Sequence, residues 1–282
     1  MKQNYAKGIQ AIIISALGFA GMSFFVKLAG DLPVAEKAVF RNLIAALAAF
    51  IMLRRSGLRF EIGEGNRLDM LLRCAAGTVG LVCNFWVLGY LSMGDANILQ
   101  KMAPFFSILM SALIIGEKPD RRSLLFVLAA FIGAAFVVKP GRGLASFPAL
   151  IGLLGGLGAG TAYTYVRKLG NNGVKGPVIV LCFSSFSVLA LLPFAIYSFR
   201  PMAPRQLGCL LLAGVCGAVG QFFVTAAYTY APAKDISVFD YTQVLFAALL
   251  GFVFFGEIPD IYSFIGYVII IGVAVIKWYF RN

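Results

Sequence analysis

The chain has 282 residues, 60% of them hydrophobic and only 13% charged, with a formal net charge of +12. A soluble domain carries roughly 25% charged and 45–50% apolar residues, so this chain lacks the polar surface to face water on all sides. Its solvent must be largely lipid. The positive charge lies in short clusters between apolar runs, which reads as a topology signal and not as a nucleic-acid interface.

Apolar stretches of about 20 residues, the length that crosses a ~30 Å hydrocarbon core, recur from end to end. In chain order they fall at about 7–29, 34–53, 69–91, 95–115, 121–138, 148–168, 175–197, 205–229, 233–255 and 260–279. The first span lacks a clean cleavage site and is read as a retained helix. Connections are short, the longest running from Arg54 to Leu68. A membrane segment must satisfy its own backbone groups, as a helix or within a closed barrel. Barrel strands alternate in polarity, whereas Ile269-Ile270-Ile271-Gly272-Val273-Ala274-Val275-Ile276 does not. The expected fold is therefore all-α, a polytopic membrane protein of ten transmembrane helices. With both termini inside, the cytoplasmic segments hold 16 of the 24 Lys and Arg, the outer segments hold 7, and Lys101 lies within span four. That bias predicts cytoplasmic termini, Arg73 being counted among the inner charges.

A shift of 140 residues aligns the two halves without a gap. Gly18 meets Gly158, Gly77 meets Gly217, Gly80 meets Gly220, and Asp95 meets Asp235. Gly116-Glu117-x-Pro119-Asp120-x-x-Ser123 meets Gly256-Glu257-x-Pro259-Asp260-x-x-Ser263. Residues 1–140 and 141–282 thus read as two copies of a five-span unit. Five is odd, so the second copy enters the membrane from the opposite side, giving an inverted 5+5 repeat. Such a pair can adopt two arrangements of similar energy, one open to each side, as alternating access requires.

These features resemble the EamA-type branch of the Drug/Metabolite Transporter superfamily. The resemblance rests on Leu113-Ile114-Ile115-Gly116-Glu117-Lys118-Pro119, on Val253-Phe254-Phe255-Gly256-Glu257-Ile258-Pro259, and on the Arg41-bearing start of span two. It implies a secondary carrier with cytoplasmic termini, in a bacterial inner membrane, with a central cavity between the halves. Members move amino acids, amines, sugars, nucleotide precursors and drugs, and no motif here selects one.

Glycine and proline in the Gly-Glu-x-Pro turns end one helix and start the next, with Glu117 placed to pair with Lys118, Arg121 or Arg122. Glycines crowding spans six and eight let helix backbones approach closely. Ionisable groups inside spans are costly and so are site candidates. Arg41, well inside span two, either pairs with Glu36 or binds an anionic group of the cargo. Lys27 and Arg167, near helix ends, are expected to snorkel. Ser237, Asp240 and Gln243 share one face of span nine, and Asn97 and Lys101 share one face of span four. Such faces either line a cavity or clamp two helices together. Asn84, Trp86, Tyr163 and Gln221 complete the candidate substrate-binding set.

The expected function is secondary active transport of a small organic metabolite. Acidic groups (Asp240, and Glu36) could hold a proton or a cationic group, and basic ones (Arg41 and Lys101) an anionic group. That favours a zwitterion such as an amino acid. The expected partners are this substrate, membrane lipid and a coupling proton. Histidine is absent, and the five cysteines show no zinc-ligand spacing, so no metal, cofactor or catalytic residue is expected. The alternatives are a membrane-embedded lipid-modifying enzyme, which needs an acid/base or metal constellation not visible here, and a channel or non-transporting scaffold.

Overall fold

The computed structural model describes residues 5–116, 121–138, 146–230 and 237–279. The first half comprises α1 (Tyr5–Leu28), α2 (Val34–Arg55), α3 (Arg67–Val87), α4 (Met93–Gln100), α5 (Ala103–Ile114) and α6 (Arg121–Val138). The second comprises α7 (Ser146–Asn171), α8 (Gly176–Tyr197), α9 (Pro204–Tyr230), a 3-10 segment (Ser237–Tyr241), α10 (Thr242–Phe255) and α11 (Ile261–Tyr279). Among the described residues there is no strand. Six helical stretches are both long and apolar enough to cross a membrane, α4 and α5 together forming one of them. Helix α2 has 22 residues but carries Glu36, Lys37, Arg41, Arg54 and Arg55. The sites of Glu117 to Asp120 and of Asp235 lie outside the described residues.

The ten spans follow the sequence reading with two departures, at equivalent places in spans four and nine. Span four is broken, α4 ending at Gln100 and α5 starting at Ala103. Pro104 has no N–H to give to the carbonyl one turn back, and Met102 N instead bonds Leu99 O in a tighter turn. Span nine departs at the equivalent place, its 3-10 segment meeting α10 between Tyr241 and Thr242.

Packing obeys the exchange of halves. Helix α1 lies along α9, and its counterpart α7 lies along α3. Helix α5 also packs on α7, as α10 does on α1. The pairs α2 with α8 and α6 with α11 are each their own image under the exchange, so they flank the pseudo-two-fold axis. Glycine makes the two equivalent crossings close. A Cβ on Gly18 would stand 2.8 Å from Gly220 N, and one on Gly158 would stand 2.9 Å from Gly80 N. In lipid, where burial gives helices little reason to associate, such backbone contact supplies much of the packing.

Large apolar side chains cover the outside, among them Leu43, Leu47 and Phe50 on α2, and Leu125, Leu128 and Ile132 on α6. A surface of this kind suits hydrocarbon, not water. One end of the bundle is tied by polar contacts between the halves. Glu257 pairs with Lys27 and also accepts a hydrogen bond from Met93 N at 2.8 Å, at the start of α4. Tyr267 donates to Asp95 at 2.9 Å. Lys27 therefore does not snorkel: a carboxylate and the Leu91 carbonyl, at 2.9 Å, hold it inside the fold. The opposite end carries a Lys168–Asp69 ion pair at 2.9 Å.

Candidate functional site

The two helix breaks meet at the centre of the molecule. Lys101 and Tyr241 are equivalent under the 140-residue shift, and Tyr241 donates its hydroxyl to the Lys101 carbonyl at 3.0 Å. A span that stops and restarts leaves backbone groups that must be met by protein or by water in a cavity. Here a side chain from the other half meets one of them.

Beside this contact Lys101 Nζ donates to Asp240 Oδ2 at 2.6 Å, and both side chains are 8% exposed. The pair joins the two halves. Asp240 Oδ1 is buried with no hydrogen-bond partner among the described residues. Gln243 donates its amide to Asn97 Oδ1, and Asn97 in turn donates to Met93 O at 2.8 Å. Ser23 also reaches Asn97 Oδ1, at 3.4 Å. The polar faces of spans four and nine thus do both things open to them: Asn97 clamps helices, while Lys101, Asp240 and Gln243 line a cavity.

That central cavity measures about 70 Å³ and is lined from both halves. Arg41, Lys101, Tyr163, Gln221, Asp240 and Gln243 of the expected set all stand on its wall. Asn84 and Trp86 do not. The backbone at Asn84 packs on the glycine face of α7 at Gly155, and Trp86 stacks on Tyr90, 4.2 Å between ring centroids, with Phe147 at its edge. Ser237 opens the 3-10 segment, and its side chain lies outside the described ones. Glu36 is also elsewhere: it accepts a hydrogen bond from Arg200 N at 2.6 Å rather than pairing with Arg41.

One residue was misplaced by the sequence reading. Arg73, counted as a cytoplasmic topology charge, is only 2% exposed and lines the cavity. Its guanidinium sits 3.9 Å from the centroid of Phe183. Arg41, also 2% exposed, lies 5.8 Å from the same ring. The available signal was depth: Arg73 is six residues into α3, some 9 Å along its axis at ~1.5 Å per residue, and Arg41 is seven residues into α2.

With this geometry in view, comparison with known proteins decides the family. The profile of the EamA-like transporter family matches residues 6–139 and again residues 146–278. The chain belongs to the EamA-like transporter family. Among its relatives is the pseudopaline exporter CntI of Pseudomonas aeruginosa, 32% identical over 267 residues, 94% of this chain and 93% of that protein. The riboflavin transporter of Vibrio cholerae is 24% identical over 280 residues, 96% of this chain and 92% of that protein. Human solute carrier family 35 member G1 is 23% identical over 296 residues, 96% of this chain and 80% of that protein. A solved crystal structure superposes with a TM-score of 0.68 at 17% identity, covering 99% of this chain and 98% of the other, which shows the fold. This EamA-like protein is a multi-pass membrane transporter, and its family and named relatives are known for transport rather than for catalysis.

Proposed function

We propose that this EamA-like protein is a secondary carrier of a small organic zwitterion, amino-acid-like, working by alternating access. The observation that carries the reading is the Lys101–Asp240 pair, which joins the two halves at the cavity wall beside equivalent breaks in spans four and nine. A cargo amine competes with Lys101 for Asp240, and a cargo carboxylate finds guanidinium donors at Arg41. Loading therefore loosens a contact between the halves, and residues 1–140 and 141–282 rock about the pseudo-two-fold axis. A cavity of about 70 Å³ is small beside the roughly 300–1,000 Å³ of most organic-ligand pockets, so the walls part when the cargo enters. Asp240 is also the group that takes a coupling proton. The relatives named for pseudopaline and riboflavin support a small organic cargo.

The termini face the cytoplasm of a bacterial inner membrane, following the excess of Lys and Arg on that side, and lipid covers the outer apolar surface. In proteoliposomes, labelled amino acids should exchange saturably. Asp240→Asn and Lys101→Ala should each abolish that exchange while the protein still folds and inserts. Normal flux in both variants would remove this site. Unsaturable conductance would replace the carrier with a pore.

A further inference from the structure

The cavity holds more positive charge than one zwitterion can answer. Lys101 is matched by Asp240, and among the described residues no other carboxylate lines the wall. Arg41 donates through Nη1 to the neutral Asn42 side chain at 2.7 Å, while its buried Nε finds no partner among the described residues. Arg73 keeps both Nε and Nη1 buried and unpartnered among them. The Phe183 face offers both cations a modest attraction. An uncompensated buried charge costs several times that.

The fold nevertheless makes room for both guanidiniums. A Cβ on Gly77 would stand 2.8 Å from Arg73 Nη1 and 2.9 Å from Phe183, and one on Gly217 would stand 2.9 Å from Arg41 Nε. Gly77 and Gly217 are equivalent under the 140-residue shift, so each copy contributes a seat for one arginine at the corresponding place.

We propose that the cavity takes a ligand bearing at least two carboxylates, one for Arg41 and one for Arg73. This deepens the carrier reading and rests on the cavity being the cargo site. A guanidinium presents a planar fork that matches a carboxylate in two hydrogen bonds. Nε and Nη1 of Arg73 lie on different edges of the guanidinium, each of which makes such a fork together with Nη2, so each edge keeps an unpartnered donor. Both arginines lie near a single ring, so the two carboxylates belong to one small molecule. The unpartnered Oδ1 of Asp240 receives an amine where the ligand has one.

The test is a thermal-shift titration of the purified full chain with L-glutamate, L-glutamine, glutarate and inorganic phosphate. Glutamate and glutarate should bind at least tenfold more tightly than glutamine, which keeps the shape of glutamate but loses one charge. Phosphate, a single compact anion, should trail glutarate by a similar factor. Arg41→Gln and Arg73→Gln should each erase the preference for glutamate over glutamine, and Arg54→Gln on the outer surface should keep it. Without ligand, Arg73→Gln should melt no lower than the parent protein, because it removes an uncompensated charge, so loss of the preference is not loss of fold. Dicarboxylates that bind no better than glutamine, phosphate that equals glutarate, or a preference that survives both cavity substitutions would overturn the proposal. Saturable exchange of glutamine but not glutamate in proteoliposomes would also overturn it, leaving the carrier reading intact. Dicarboxylate binding without exchange of any bound probe would uphold the two-carboxylate site and remove the carrier reading.

Discussion

An ammonium and a carboxylate 2.6 Å apart, both 8% exposed, depend on each other. Removing one partner of such a pair leaves a buried charge and costs about 3–5 kcal/mol, whereas replacing both with apolar groups is close to neutral. Asp240→Leu alone should therefore lower the melting temperature of the purified protein sharply, and adding Lys101→Met should recover most of the loss. A double variant no more stable than Asp240→Leu would show the two groups to be uncoupled. Lys101 and Asp240 could be picked out because ionisable groups deep in apolar runs are conspicuous. Arg73 is passed over because it follows Arg67 near the start of its span, and a tally of charges per segment ignores the depth that sets it apart from the interface. The partner of Lys27 was hidden for another reason: Glu257 is 230 residues away in sequence.

At the scale of elements, the close crossings make a specific demand on size. Gly158→Leu would push a side chain into Ala76 O, Gly80 N and Gly80 Cα, all within 3.0 Å of the added Cβ. Such overpacking costs typically 1–3 kcal/mol, occasionally more. Gly158→Leu should fall in the upper part of that range, since its nearest neighbours are backbone atoms that cannot swing away. Gly170→Ala, with nothing within 4 Å of the new Cβ, should leave stability unchanged when both are followed by thermal melting of the purified protein. Glu257 offers a second contrast. It pairs with Lys27 at 18–20% exposure and accepts from the first residue of α4, so Glu257→Gln should lower the melting temperature. Glu64→Gln, in a pair that is 73% and 91% exposed, should not, because exposed pairs contribute little. The glycines crowding spans six and eight, Gly158 and Gly220 among them, already pointed to close helix contact, whereas Gly18 and Gly80 stand out in the sequence only as matches between the halves. The interruption of span four was less visible, since a proline two residues into a new helix and one inside a continuous helix look the same in a hydropathy reading.

The whole molecule follows from the 140-residue offset. Once two copies of five spans are granted, the pairing of α1 with α9 and of α7 with α3 is one contact seen twice. What the offset leaves open is which state the two copies adopt, because each copy is compatible with both. The structure ties the halves together at the Lys27–Glu257 end. Under the proposed alternating access that end opens during each cycle, so joining the halves there should stop turnover. The variant Lys27→Cys/Glu257→Cys, in a background lacking the native cysteines, should lose exchange on oxidation and regain it on reduction. Exchange that continues under a complete cross-link would exclude opening at that end.

The seats at Gly77 and Gly217 recur in both copies, but the residues that fill them do not. Arg41 and Arg73 both come from the first copy, and their equivalents in the second are Leu181 and Ala213. An assembly of two first copies would gather four guanidiniums in one chamber, and an assembly of two second copies would gather none. Joining unlike copies in one polypeptide lets both guanidiniums come from a single copy, whereas two identical copies would have to present the same arginine on each side of the axis.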